Sequence, residues 1–147
     1  MANRTDSTAT LAERLLHTDL MGAMSTSDRR IVARHLEVLR VPADTILLRE
    51  GDPATNVFFL FDGRVAVRES GVTWWLAPGR QVGEISMLRG APSHQEVTTR
   101  TDCELGVLGA RMFQVLCRDL PPFTRAVLAD LATVAFAGAA SRPSRAG

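Results

Sequence analysis

The stretch of this chain best suited to chemistry runs from Gly83 to His94 and reads GEISMLRGAPSH. It predicts a short turn of helix set between β-strands. The unpaired backbone N–H groups at the start of such a turn can bind a phosphate, and the first half of the stretch is suited to holding a sugar-phosphate. In the second half, Ser93 stands where an arginine would be expected to neutralise that phosphate. The residues therefore predict a sugar-phosphate site, but they leave the identity of its ligand undecided.

Residues for catalysis or metal binding are few. A metal enzyme of the cupin type needs several histidines and carboxylates converging inside a β-barrel, but the chain has three histidines, His17, His35 and His94. The first two fall in a predicted helical region, where His35 is expected in the core or at its boundary. Cys103 and Cys117 lack paired spacing and are expected to be free thiols. With no paired catalytic carboxylates, nucleophile motif or glycine-rich dinucleotide loop, we expect no metal, no catalytic residues and no enzyme.

Residues 11–39 are predicted to be helical. Thr10 and Glu13 form a capping-box pattern at the first helix start, and Ser25 followed by Asp28 suggests a second start. Apolar residues then recur at helical spacing up to residue 39.

Short β-strands separated by turns are predicted over residues 41–109. Asp62 and Gly63 are a strong hairpin signal. The adjacent Trp74 and Trp75 must face opposite sides of a strand, so one is expected in the core and the other at the surface. The predicted strands cover residues 45–48, 57–61, 64–68, 72–76, 97–101 and 103–108. Many short strands at this spacing favour an antiparallel, jelly-roll-like β-roll.

The pattern after residue 109 is helical again. One helix is predicted from Arg111 to Asp119, a break at Pro121 and Pro122, and a last helix from Phe123 to Ala137. The last helix has one apolar stripe, formed by Phe123, Val127, Leu131 and Val134. Its flank is kept small by Ala126, Ala129, Ala132 and Ala135. These alanines give the helix a second apolar face, which favours packing against a partner helix. A homodimer through this helix is therefore expected.

The chain of 147 residues suits one domain of the α+β class, mainly β. We expect a flexible N-terminus over residues 1–10, one domain over residues 11–138 and a flexible tail over residues 139–147. Within the domain, helices over 11–39 and 110–138 flank the β-roll over 41–109.

The net charge of +1 gives no overall electrostatic field that would attract nucleic acid or an anionic membrane. All 17 basic residues are arginine, for which codon bias is the simplest explanation. No apolar run approaches the roughly 18 residues of a membrane span, and a cytoplasmic protein is expected.

This order of elements resembles the cyclic-nucleotide-binding domain of catabolite-activator-type regulators, kinase regulatory subunits and cyclic-nucleotide-gated channels. The resemblance covers roughly Leu11 to Ala137. It rests on VPADTIL at 41–47, REGDP at 49–53, FLFDGRVAV at 59–67, APGRQVGE at 77–84 and TDCEL at 101–105. Family activators carry a helix-turn-helix domain after the last helix, which this chain lacks, so DNA binding by the chain is not expected.

The resemblance implies roles for the residues of the helical turn. Gly83 would let the backbone approach the sugar, because a Cβ would collide with it. Glu84 would accept hydrogen bonds from the ribose 2′-hydroxyl, and the N–H groups of Ile85 and Ser86 would face the cyclic phosphate. Two alternatives remain open, since Gly83 could only make the turn and Glu84 could only cap the helix.

The sequence departs from the family pattern at the phosphate. Where the family has Pro-Arg followed by a small residue, this chain has Pro92, Ser93 and His94. Losing such a charge-assisted contact costs about 2–5 kcal/mol, which is on the order of 30- to several-thousand-fold in affinity. His94 adds bulk, and Glu96 adds a nearby negative charge.

Two function hypotheses follow. The first is a non-catalytic regulatory module with weakened, altered or lost cyclic-nucleotide binding, acting through its helices on an effector or a second copy. The alternative is a working cyclic AMP or cyclic GMP receptor that neutralises the phosphate with Arg89, Arg100 or His94. Family-like geometry would aim Arg89 outward and place Arg100 on a strand beyond the site.

Overall fold

A computed structural model describes residues 7–141. Within them, two four-stranded antiparallel sheets run in the orders β1-β8-β3-β6 and β2-β7-β4-β5. The strands are β1 Glu37–Val41, β2 Ile46–Leu48, β3 Asn56–Asp62, β4 Val65–Glu69, β5 Val72–Leu76, β6 Gln81–Val82, β7 Glu96–Thr99 and β8 Cys103–Gly109. The helices are α1 Thr8–Leu16, α2 Thr26–Ala33, α3 Glu84–Arg89, α4 Ala110–Asp119 and α5 Pro121–Ser141. The expected mainly-β roll with flanking helices is confirmed.

One core fills the space between the two sheets. Val65 and Val67 on β4 meet Leu60 on β3 and Leu105 on β8 in this core. The inward residues alternate with outward ones, as the two-residue period of a strand requires. Trp74 packs against this core while Trp75 is 54% exposed, which confirms that the two rings face opposite sides.

A second core lies between the helices and the sheet that contains β3 and β8. Phe59 of β3 and Leu108 of β8 pack there with Leu15 of α1. Phe113 of α4 and Phe123 of α5 are fully buried in the same core, with their rings edge-to-face and their centroids 5.7 Å apart. All four flanking helices thus depend on one apolar surface of the β-roll.

The N-terminal helices differ from the prediction. Ser7, not Thr10, caps α1, because Ser7 Oγ accepts a hydrogen bond from the Thr10 N–H at 3.1 Å. Ser25 caps α2 as predicted. The prediction of helix up to residue 39 is wrong, since α2 ends at Ala33 and β1 pairs with β8. His35 is exposed, so its expected place in or beside the core is wrong too.

The strands and closing helices lie close to their predicted positions, with two corrections. The short strand β6, which pairs with Phe58 and Phe59, was not predicted. Pro121 and Pro122 begin α5 instead of separating it from a later start, because proline is tolerated in the first turn of a helix. In the predicted apolar stripe, Phe123 and Val127 are buried.

The outer boundaries of the predicted domain need adjustment. Residues 8–10, expected to be flexible, lie in α1, and residues 139–141 of the expected tail lie in α5. Residues 1–6 and 142–147 lie outside the described residues, as do the side chains of Val134 and of residues 136–141. No helix among the described residues is long and apolar enough to span a membrane.

Candidate functional site

The short turn of helix predicted within the stretch Gly83 to His94 is present as α3. Gly83 precedes it with a φ of 99°. A Cβ on Gly83 would lie 2.5 Å from the carbonyl oxygen of Asn56 on β3, so only glycine fits this approach of two backbones. The contact with Asn56 therefore explains a glycine at position 83 without any ligand.

Ser86 holds the far end of this turn. Its Oγ donates to the carbonyl of Ala91 at 2.6 Å, and the Ala91 N–H donates to the carbonyl of Ser86 at 3.3 Å. The hydroxyl proton of Ser86 is thus used inside the protein. Ile85 is 40% exposed on the other side of the turn.

A cavity of about 150 Å³ lies beside α3 and is called the α3 cavity below. It is lined by Leu48, Glu69, Gly83, Glu84, Ile85, Ser86, Arg89, Pro92, Ser93, His94 and Gln95. The fold therefore brings together the predicted residues of the turn and those of the Ser93 segment. Arg100 does not line the cavity; it is exposed beyond β7, where its N–H donates to the carbonyl of Arg64.

Ser93 is buried in the wall of the α3 cavity, and its hydroxyl proton is used inside the protein. Ser93 Oγ donates to the carbonyl of Gln95 and accepts from the Gln95 N–H, both at 3.0 Å. The backbone of Ser93 also pairs with Gly51 and Asp52 in the turn after β2. This residue therefore fixes two loops to each other and brings no charge to the cavity.

Arg89 and His94 meet at the mouth of the α3 cavity. Arg89 Nη1 lies 3.3 Å from His94 Nδ1, and both side chains are exposed. Arg89 lines the cavity instead of turning away from it, contrary to the expected geometry. These two side chains are the cationic candidates that the structure brings to the cavity.

Glu69 is a site residue that the sequence reasoning missed. On β4 the side chains of Val65 and Val67 point into the inter-sheet core, and Glu69 occupies the next inward position. It lines the α3 cavity, and its Oε1 accepts a hydrogen bond from Gln95 Nε2 at 3.3 Å. The signal was available, because a two-residue alternation of apolar residues ends there on a carboxylate.

Glu96, which was expected to add a negative charge near the phosphate, is held in an ion pair. It forms an ion pair with Arg68 on the neighbouring β4. Its charge is therefore compensated by that arginine, and Glu96 does not line the α3 cavity. The negative charge that the cavity carries beside Ser93 comes from Glu69 instead.

Glu84 is buried at the start of α3, with 5% of its surface exposed. Burial raises the pKa of its carboxyl group, although a hydrogen bond from Gln81 and one from its own backbone N–H work in the other direction. The backbone contact gives physical support to the helix-capping alternative. The side chain nevertheless lines the α3 cavity and can accept a hydrogen bond there.

A buried polar network connects Glu84 to α5. Gln81 Nε2 donates to Glu84 Oε2 and to Asp130 Oδ2, both at 2.8 Å. Arg80 donates to Asp130 at 3.0 Å and to Asp19 at 3.1 Å. Burial disfavours the charged form of Arg80, but its hydrogen bonds and the two carboxylate charges outweigh that effect and raise its pKa.

Neither cysteine is engaged in a disulfide bond. Cys103 is buried and Cys117 is half-buried, as expected for free thiols. Among residues 7–141, no group of three or more His, Cys, Asp or Glu side chains is placed to hold a metal ion.

The family model of the cyclic nucleotide-binding domain matches residues 38–119, more than half of the chain. The chain belongs to the cyclic-nucleotide-binding domain family. A cyclic nucleotide-gated potassium channel of Mesorhizobium japonicum is 32% identical over 90 residues, covering 61% of this chain and 25% of the channel. The chain spans between 8% and 32% of the length of the curated relatives it matches.

Solved structures share the fold at lower identity. A cyclic nucleotide-binding domain from Methylobacillus flagellatus superimposes with a TM-score of 0.71 at 23% identity, covering 88% of this chain and 76% of that one. The regulatory subunit of a cAMP-independent protein kinase A from Trypanosoma cruzi, bound to guanosine, gives a TM-score of 0.66 at 18% identity. That match covers 77% of this chain and 41% of the other.

Proposed function

We propose that this protein is a non-catalytic regulatory module in which cyclic-nucleotide binding is weakened, altered or lost. The observation that carries the proposal is Ser93, which is buried, uncharged and hydrogen-bonded on both sides to Gln95. In the family pattern this position carries the arginine that faces the phosphate. Its absence removes a contact of about 2–5 kcal/mol, or roughly 30- to several-thousand-fold in affinity.

Glu69 supports the same proposal by a separate route. Glu69 lines the α3 cavity together with Ser93, and Gln95 donates one neutral hydrogen bond to its carboxylate. A cyclic phosphate entering there would approach a carboxylate instead of a guanidinium. The interaction changes from attraction to repulsion, which lowers affinity further.

Isothermal titration of the purified protein with cyclic AMP and cyclic GMP tests this function. We expect no measurable heat, or a dissociation constant above about 1 μM, which corresponds to roughly −8.2 kcal/mol. Circular dichroism of the same sample establishes that the protein is folded. Sub-micromolar affinity for either nucleotide would mean that another group neutralises the phosphate, and the proposal would then be wrong.

A second candidate function, a working cyclic-nucleotide receptor, is favoured by one observation. Arg89 and His94 both line the α3 cavity and lie 3.3 Å apart, so the guanidinium of Arg89 and the imidazole of His94 share one edge of it. If they bind the phosphate, Arg89→Gln should weaken cyclic AMP binding at least tenfold. Arg111→Gln, at an arginine on the separate helix α4, is the matched control and should have no effect.

We further propose that the module acts on an effector or on a second copy of itself through α5. The hydrogen bonds from Gln81 to Glu84 and Asp130 connect the α3 cavity to this helix. Leu128 on α5 is 60% exposed, so the helix also offers an apolar side chain to a partner.

The guanosine-bound protein of the same fold supports the view that this fold accepts ligands other than cyclic nucleotides.

A further inference from the structure

Two of the side chains that line the α3 cavity are hydrogen-bond acceptors. Glu69 and Glu84 both line it, and a carboxylate can only accept hydrogen bonds. The two hydroxyl groups in the wall cannot donate to a ligand, because Ser86 gives its proton to Ala91 and Ser93 gives its proton to Gln95. A ligand can therefore satisfy Glu69 and Glu84 only with hydrogen-bond donors of its own.

Glu69 is held in the wall of the cavity by Gln95, two residues after Ser93. Arg68 and Glu96 pair directly across β4 and β7 on the outer face, so the next residues, Glu69 and Gln95, turn to the inner face. There Gln95 Nε2 binds Glu69 Oε1 at 3.3 Å. Within residues 7–141, Glu69 Oε2 has no hydrogen bond and remains available to a donor.

The basic side chains that line the cavity are more exposed than the two glutamates. Arg89 and His94 are exposed at the mouth, where they contact each other, while the two glutamates line the wall. The wall beside Ser93 is therefore negative, and it disfavours an anionic group. A neutral group with an O–H bond would satisfy Glu69 without adding a charge.

We propose that the α3 cavity binds an uncharged ribonucleoside in place of a cyclic nucleotide. This inference rests on the proposed function, since it takes the loss of the phosphate contact as its starting point. Glu84 accepts a hydrogen bond from the 2′-hydroxyl of the ribose, and Glu69 accepts one from the 5′-hydroxyl. A cyclic nucleotide cannot make the second bond, because its 5′-oxygen is esterified to phosphorus and carries no hydrogen.

The size and lining of the cavity fit this class of ligand. A volume of about 150 Å³ accommodates the sugar and leaves the base at the opening. Ile85, 40% exposed, and the exposed Pro92 form an apolar rim against which a base can lie. A free sugar would leave this rim uncovered, which is why a nucleoside is preferred over a simple polyol.

Isothermal titration with adenosine, guanosine, ribose, cyclic AMP and cyclic GMP tests the inference. We expect adenosine or guanosine to bind at least tenfold more tightly than either cyclic nucleotide and than ribose. The 5′-deoxy analogue of the nucleoside that binds should lose at least fivefold in affinity on the wild-type protein. This probe needs no substitution, so the test does not depend on the folding of a variant.

Removing the charge of Glu69 provides a second test, because it should affect the affinities for nucleosides and for cyclic nucleotides differently. Glu69→Gln keeps the shape of the side chain but removes its charge. It should weaken nucleoside binding at least fivefold and should not weaken cyclic AMP binding, so the ratio of the two affinities changes at least fivefold. Glu37→Gln, at an exposed position on β1, is the matched control and should leave both affinities unchanged.

The outcomes separate this inference from the proposed function. If no nucleoside and no cyclic nucleotide binds, the inference is wrong and the proposed loss of binding stands. If cyclic AMP or cyclic GMP binds below about 1 μM and more tightly than the nucleosides, both are wrong. If a nucleoside binds but neither the 5′-deoxy analogue nor Glu69→Gln changes its affinity, Glu69 does not recognise it and the inference is overturned.

Discussion

The amide nitrogen of Gln81 lies 2.8 Å from Asp130 Oδ2, which ties the short strand β6 to the middle of α5. The same nitrogen binds Glu84 Oε2 at 2.8 Å. Both of its hydrogens are therefore used on buried carboxylates, one at the start of α3 and one on the closing helix. If α5 moves away from the β-roll, the bond between Gln81 and Asp130 must break, unless the Gln81 side chain moves with α5 and loses its bond to Glu84.

Gln81→Leu should destabilise the protein by about 2–4 kcal/mol. The substitution removes the donor shared by Glu84 and Asp130 and leaves two buried carboxylates with fewer hydrogen bonds. Equilibrium unfolding in urea measures the change in the free energy of unfolding. Gln95→Leu is the comparison, because that amide is only half-buried and binds one carboxylate; equal losses in the two variants would argue against a special role for Gln81.

The stability of the protein should carry a pH dependence that depends on Glu84. Burial raises the pKa of this carboxyl in the folded protein above the ordinary value of 4.5. The folded state then binds a proton more tightly than the unfolded state, so this contribution is fully present below about pH 4.5 and is lost as the pH rises through the folded pKa.

Glu84→Gln removes that contribution. The difference in the free energy of unfolding between the variant and the wild type should therefore shift in favour of the variant as the pH rises from about 4.5. Urea unfolding at a series of pH values measures it. Glu50→Gln, at an exposed position in the turn after β2, should give a difference that is flat with pH. A flat difference for Glu84→Gln as well would contradict the raised pKa.

Local patterns were enough to predict much of the β-roll. The alternation along β4 and the turn residues Asp62 and Gly63 marked strands that the structure contains. The strand β1 was missed because Leu36 and Leu39 also fit a helical period, and only pairing with β8 decides between the two. The two-residue strand β6 is too short to leave a pattern.

The site was predictable in its residues but not in its contacts. The segment 83–94 was singled out from the sequence, and Ser93 from the family resemblance; eight residues of the segment line one cavity, while their roles toward a ligand stay predictions. The reason for Gly83 lies in the carbonyl of Asn56, and the partner of Gln81 lies 49 residues away on α5. Contacts of this range depend on how the sheets and helices pack, which no local pattern encodes.

Restoring the missing charge should restore cyclic-nucleotide binding. We expect Ser93→Arg, combined with His94→Ala to clear space and Glu69→Gln to remove the opposing charge, to strengthen cyclic AMP binding at least tenfold. Glu96 can stay, because it pairs with Arg68. Isothermal titration measures the gain.

Thr73→Arg is the control for this experiment. It adds one arginine at an exposed position of β5, outside the α3 cavity, and should not change the affinity. If the triple variant binds no better than the wild type, the cavity differs in shape from the family's site, and Glu84 acts as a helix cap and not as a ribose ligand.

Assembly through α5 gives the last prediction. The helix spans Pro121–Ser141, and Leu128 is 60% exposed on it while Leu131 packs partly against the helical core. We expect a homodimer at tens of micromolar that Leu128→Glu converts to a monomer, because a buried unpaired carboxylate at the contact is strongly unfavourable. Leu128 is a better probe than Leu131, since a charge at Leu131 would disturb folding as well as assembly.

Sedimentation velocity of the wild type and of Leu128→Glu measures the change in assembly. Leu88→Glu, at an apolar residue 45% exposed on α3, is the matched control and should leave the dimer intact. A monomeric wild type would rule out pairing of this helix. A dimer that survives Leu128→Glu but is lost in Leu88→Glu would place the contact at α3, beside the mouth of the α3 cavity, and ligand binding would then compete with assembly instead of acting through α5.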